Sequence, residues 1–187
     1  MKKIGIVTDS HSSISQEEAK KLGIFVLPMP FYIDGECYYE SVTLSRELFF
    51  EKLTSGADIS TSQPSPTAVM EIWDKALEEY EKILYMPISS GLSSSYNTAM
   101  MLAQEEKYEG RVLVVDDGQV AAPLHQMILD TLDMIEKGYE AEHIRELLEK
   151  AGDRMMIYIA LQTLEFLKKG GRVTPAAAAL GSVFNIK

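Results

Sequence analysis

The sequence predicts an α/β fold, a mostly parallel sheet in a three-layer domain. Strand-like and helix-like segments alternate along the chain, as a parallel sheet with crossover helices requires. The opening apolar run halts at Asp9 and reads as a buried first strand rather than a leader peptide. With 187 residues and 46% hydrophobic content, there is enough apolar side chain for a full core in one domain, or in one domain and part of another.

The first strand is expected over residues 3–8. Ser15, with Glu18 three residues later, is a capping-box signature for the helix that follows. Residues 24–28 form a second apolar run, and 31–39, centred on Asp34-Gly35, read as a hairpin. Ser45 caps a short helix through Leu53. Ser65-Pro66 is a strong helix start, a capping side chain followed by proline at the first helical position. Behind it Val69, Ile72, Trp73, Ala76, Leu77 and Tyr80 recur at helical spacing, which makes Trp73 a core residue. A strand over 82–88, a helix over 93–106 and a strand over 111–115 follow. Two consecutive helices, 123–137 and 141–150, come next. A strand is expected over 154–161, then a short helix over 163–169 that Gly170 and Gly171 end, and one more helical turn over 175–180. The break nearest a domain boundary is at Gly152, so the chain divides into an N-terminal domain over 1–152 and a second unit over 153–187.

The formal charge is -10, which disfavours non-specific binding to nucleic acid or to an anionic membrane face. It is unevenly spread. From Asp153 onward five basic residues stand against two acidic ones, a net +3 that leaves -13 on residues 1–152. That basic end is either solvated surface or a patch for an anion or acidic partner. No stretch is long and apolar enough to span a bilayer, so no stable membrane insertion is expected. Nothing marks export, and the single Cys37 fits a reducing cytoplasm.

The most informative segment for chemistry is residues 86–98, MPISSGLSSSYNT, between a strand end and a helix start. Ligands of open α/β sheets gather at the carboxyl ends of strands. The first amides of a helix lack internal partners, and its dipole favours an anion there. Five serine hydroxyls around that point, with Gly91 to permit close backbone approach, suit a carboxylate or phosphate held through neutral hydrogen bonds; ordinary helix capping is the other reading. A second hydroxyl-rich turn, Ser60-Thr61-Ser62-Gln63-Pro64-Ser65, also precedes a helix. A third group, Thr8, Asp9, Ser10, Ser12 and Ser13, follows the first strand. Three such loops can converge on one crevice. There is no G-x-x-x-x-G-K-[ST] loop, and Ser95 breaks the G-x-S-x-G pattern. His11, His125 and His143 are scattered, and no cluster has metal-ligand spacing. No cofactor is expected.

Four segments in order, residues 6–10 (IVTDS), 61–65 (TSQPS), 88–93 (ISSGLS, with Tyr96) and 164–172 (LEFLKKGGR), resemble the DegV family. The resemblance covers essentially the whole chain. It implies a protein that binds a long-chain fatty acid in an apolar tunnel between two α/β domains and presents it to a separate fatty acid kinase, ahead of phospholipid synthesis, without catalysing a reaction itself. It implies that Thr61 and Ser93 bind the carboxylate, with Ser94 as a contributing neighbour. It also implies that Arg172 engages the kinase. Phe31, Ile33 and Met100 are candidate tunnel residues. Family members continue past residue 187, so the second α/β domain is expected to be incomplete, lacking one tunnel wall. Asp117 departs from the family's usual serine and is expected to place negative charge at a nearby helix start.

A different class remains open: an enzyme acting on a small phosphorylated or carboxylated substrate, with the Ser-rich loop as phosphate or oxyanion cradle. A third is a regulatory module docking through its charged faces.

Overall fold

The computed structural model describes residues 2–40, 42–158 and 164–173. The chain opens on β1 (Lys2–Asp9), buried from Ile4 onward. A single 3₁₀ turn (Ser10–Ser12) leads to α1 (Gln16–Leu22), whose N-cap Ser15 accepts from the Glu18 amide at 3.1 Å. β2 (Phe25–Leu27) then returns parallel to β1, pairing Val7 with Phe25.

The chain next leaves this sheet. β3 (Pro30–Ile33) and β4 (Glu36–Tyr39) form the expected hairpin. Asp34 (φ 51°) and Gly35 (φ 85°) both occupy the left-handed region that a tight two-residue turn demands. Ser45 caps α2 (Arg46–Thr54). A strand not expected from sequence follows: β5 (Ile59–Thr61) pairs antiparallel with the other edge of β3, setting Thr61 opposite Phe31. Its three residues, two of them polar and exposed, carry too little pattern to be read locally. Phe31, Ile33 and Leu44 form a small core of their own here, with Phe49 and Ile59 packed against it.

α3 (Pro66–Glu79) buries Val69, Trp73, Ala76 and Leu77, as the spacing predicts. Trp73 stands edge-on to Tyr85 and Tyr108, with ring centroids 5.4 and 5.2 Å away. β6 (Tyr80–Met86) enters on the far side of β1, pairing Thr8 with Met86. α4 (Ser95–Leu102) is shorter than the 93–106 expected. Tyr108, buried and donating to Asp74 Oδ1 at 3.0 Å, draws the following segment inward as turns. β7 (Val112–Val114), α5 (Ala121–Glu136) and α6 (Ala141–Gly152) follow.

The parallel sheet has the order β2-β1-β6-β7. Its alternating side chains feed two cores. Ile4, Ile6, Leu84 and Met86 pack under α1, α5 and α6, while Val7, Ile83, Tyr85 and Val114 pack under α3 and α4. This is the three-layer α/β arrangement, with the three-stranded antiparallel sheet β4-β3-β5 added beside it. Gly5 shows how tightly neighbouring strands fit within the sheet: a Cβ there would lie 2.6 Å from the ring of Tyr80 on β6.

Past Gly152, residues 155–158 do not form the strand expected over 154–161, and residues 159–161 lie outside the described residues. α7 (Glu165–Lys169) matches the described part of the helix expected over 163–169. The turn expected over 175–180 lies outside the described residues.

Candidate functional site

The chain leaves β1 toward one face of the sheet through α1 and leaves β6 toward the other through α4. The loops after these adjacent strands therefore diverge, which opens a crevice at the carboxyl edge, the topological switch point where open α/β sheets bind ligands. Asp9 staples that point. Its carboxylate, fully buried, accepts from the His11 amide at 2.9 Å and from the Ile88 amide at 2.8 Å.

A cavity of about 570 Å³ lies there, between the switch point and the small antiparallel sheet. That size is ordinary for a small-molecule site. Phe31, Leu44, Phe49, Phe50, Ile59 and Leu92 supply apolar wall, and Thr61, Ser62, Ser93, His11, Ser13 and Arg172 supply polar groups. Glu40 and Arg46 also face it. Thr61 and Ser93, 32 positions apart in sequence by their numbers, thus line one cavity. The β5–β3 ladder presents the first and the loop after β6 the second.

The hydroxyls differ in how much bonding capacity the fold has already used. Among the described residues, the Thr61 hydroxyl makes no hydrogen bond, and Ser62 Oγ donates to the Gln63 carbonyl at 3.0 Å. Ser93 Oγ lies 2.8 Å from Ser95 Oγ and accepts from the Ser95 amide at 3.2 Å, so it acts partly as a cap for α4. Ser94 is the N-cap residue of α4 by position, makes no side-chain cap bond, is exposed and is not among the cavity-lining residues. In the third group, Thr8 Oγ1 donates to the Met86 carbonyl, Ser10 Oγ to Glu40 and Ser12 Oγ to the Asp9 carbonyl. Only Ser13 and His11 of that loop reach the cavity. Of the candidate tunnel residues, Phe31 lines it. Ile33 is buried in the small core and Met100 packs under the parallel sheet.

Coordination through neutral groups is the expectation, and the cavity differs in carrying three cationic or titratable nitrogen groups, His11, Arg46 and Arg172. Arg172 lies at its rim, Nε donating to the Leu92 carbonyl at 3.3 Å and Nη1 to the Gly170 carbonyl at 2.6 Å. His11 Nδ1 is buried 3.3 Å from Asp9 Oδ1, out of hydrogen-bond alignment. Burial alone would lower the His11 pKa, but the adjacent Asp9 carboxylate, with the charge of Glu40, outweighs it and raises it above 6.5. The only local signal for His11 was its place just beyond the first strand; Arg46, in the first turn of α2, had none.

Asp117 does not act as expected. It is buried, its Oδ1 accepts from the Gln119 amide at 2.9 Å, and it does not line the cavity. α5 starts later, after Val120, with no acidic residue in its first turn. Burial pushes the Asp117 pKa up to about 7. Among the described residues there is no cluster of three metal-ligating side chains and no helix long and apolar enough to cross a membrane.

Comparison with known proteins agrees with this architecture. Over 185 residues the chain is 35% identical to a DegV domain-containing protein of Deinococcus radiodurans, covering 98% of this chain and 65% of that protein. Among solved structures, a DegV family protein from Thermus thermophilus, described by its fatty acid binding, is 34% identical with a TM-score of 0.86, over 98% of this chain and 65% of that one. A stearic acid-binding protein from Eubacterium ventriosum is 26% identical with a TM-score of 0.78, over 97% and 64%. The chain thus spans about two thirds of the length of the relatives it matches. The pattern of the family described as "Uncharacterised protein, DegV family" matches residues 3–187, and the chain belongs to the DegV family.

Proposed function

We propose that this chain is part of a fatty-acid carrier, holding the carboxylate at Thr61 and Ser93 and laying the first part of the tail against Phe31, Leu44, Phe49, Phe50 and Ile59. The observation that carries the reading is the shared cavity of Thr61 and Ser93, whose wall combines these hydroxyls with apolar side chains. A buried carboxylate needs several donors, and charge-assisted hydrogen bonds are the stronger kind. Each buried CH₂ adds about 0.8 kcal/mol, so tail length supplies most of the affinity. Ser94, exposed beside the pair, contributes at most from the rim.

The acid is handed to a separate fatty acid kinase, which Arg172 engages. Support for that role is its exposed position at the cavity rim, within a basic C-terminal segment. The setting is cytoplasmic, and the chain divides near Gly152 into a ligand-binding domain and a second unit. Mass spectrometry of organic extracts tests the carrier reading: the purified protein should yield a co-purifying long-chain fatty acid. A protein free of lipid that turns over a phosphate ester would replace it with the enzymatic reading of the Ser-rich loop.

A further inference from the structure

We propose that His11 is the charged donor of the headgroup site, so that this chain takes up a carboxylate together with a proton and lets both go as the pH rises. The inference rests on the carrier reading and adds to it a residue and a form of regulation.

The geometry is that of an imidazole with one nitrogen buried against a carboxylate and its other edge open. His11 sits in the short turn after β1, and its own amide is tied to Asp9 Oδ1 at 2.9 Å, which fixes the backbone. Its Nδ1 is sealed 3.3 Å from the same carboxylate oxygen. The side chain is nevertheless 34% exposed, and it lines the cavity with Thr61 and Ser93. The open edge of the ring is therefore the one carrying Nε2, which donates a hydrogen bond when the ring is protonated with Nδ1–H turned to Asp9. Asp9 is in turn immobile, because its second oxygen holds the Ile88 amide.

The charges around the ring decide which form it takes. Asp9 lies behind it and Glu40 beside it, both favouring imidazolium, while Arg172 opposes. Glu40 is anchored by the Ser10 hydroxyl at 2.8 Å. Arg46, on the cavity wall, lies over the Phe50 ring at 5.7 Å. On α5, which packs on this turn, His125 is engaged with Glu18 at 3.2 Å. With a neutral imidazole, an incoming carboxylate would enter a site that already holds the charge of Asp9 and Glu40, with Arg172 at the rim and Arg46 on the wall set against them. Imidazolium leaves one positive charge in excess at the site, and a bound carboxylate, the third anion, balances it and holds the proton in place. Linkage makes this reciprocal: a ligand that prefers protonated His11 must raise the pKa of that ring by the same factor.

The test is calorimetric titration of dodecanoate, with dodecanol as the uncharged control, from about pH 6 to about pH 8.5. For the unmodified chain, dodecanoate affinity should fall about tenfold across that range while dodecanol affinity stays level. In His11→Gln the dodecanoate profile should be flat at the weaker value, which also separates the effect from titration of the acid itself. Should that variant fail to fold, the imidazole nitrogen shifts of His11 in the unmodified chain give the same answer: its pKa must rise on adding dodecanoate. Binding of dodecanoate with a level pH profile, or with an unmoved His11 pKa, overturns this inference and leaves the carrier reading intact. No binding of dodecanoate or dodecanol at any pH overturns the carrier reading, and this inference with it.

Discussion

The buried carboxylate of Asp9 accepts a 2.8 Å hydrogen bond from the backbone amide of Ile88, 79 positions further along the chain. With its other oxygen on the His11 amide, this one side chain ties together the two loops that diverge from the adjacent strands β1 and β6. His11 on one side of the crevice and Ser93 on the other are thereby held in register across the cavity. The Thr8 hydroxyl adds a second tie, donating to the Met86 carbonyl at 2.7 Å.

Asp9→Asn should loosen this junction. An asparagine has one accepting oxygen, and its NH₂ would face the second amide, leaving a buried N–H unpaired. A stability loss of about 1–3 kcal/mol is expected, measurable by urea denaturation, along with weaker fatty-acid binding. Unchanged stability would show that water or local relaxation replaces the lost acceptor.

Thr61→Val and Ser93→Ala should separate binding from folding. Thr61 spends no hydroxyl bond on the fold among the described residues, so Thr61→Val should change stability by no more than about 0.5 kcal/mol. Ser93 caps the Ser95 amide, so Ser93→Ala should cost roughly 0.5–2 kcal/mol of stability. Both should weaken fatty-acid binding by about 1–3 kcal/mol in a direct titration. Ser94→Ala, at an exposed position off the cavity, should leave affinity nearly unchanged.

Asp117 makes stability depend on pH in an unusual direction. Its pKa rises from 3.8 to about 7 on folding, so between those values the folded state binds more protons than the unfolded one. Stability contributed by this group is therefore greatest in acid. It falls as pH climbs above the unfolded value and levels off once the folded carboxyl has ionised, near pH 7. Asp117→Asn, which keeps an acceptor for the Gln119 amide, should flatten this slope, so that the variant gains on the unmodified protein by about pH 8 by an amount on the order of 1–3 kcal/mol. Parallel denaturation curves at several pH values would check it; an equal pH dependence in both proteins would mean that Asp117 ionises freely.

Much of the fold was legible because its signals are local. Ser15, Ser45 and Ser65 each cap the helix they were expected to cap, since a cap is a bond between residues three apart. Asp34-Gly35 makes the hairpin turn because both positions need positive φ. Trp73 is core because helical spacing puts it on the buried stripe of α3. β5 was not legible, since three residues have a partner but no pattern, and the length of α4 was misjudged because burial of Tyr108 overrides local helical preference.

The amino-acid sequence alone determined the α/β alternation, the helix starts and the three hydroxyl-rich loops that follow strands or precede helices. Tertiary structure alone decided which of their side chains face a common space. Ser10, Ser12 and Ser62 look as available as Thr61 and Ser93 in a linear reading, yet their hydroxyls donate to a carboxylate or a carbonyl within the fold. A hydroxyl's availability depends on which acceptors its backbone conformation and its tertiary neighbours bring near: Ser12 and Ser62 bond within their own turns, and Ser10 reaches Glu40, 30 positions along the chain. The same holds for the buried Asp117 and for His11 against Asp9: residue type names the titratable group, and the charges and solvent that folding places around it set its proton affinity.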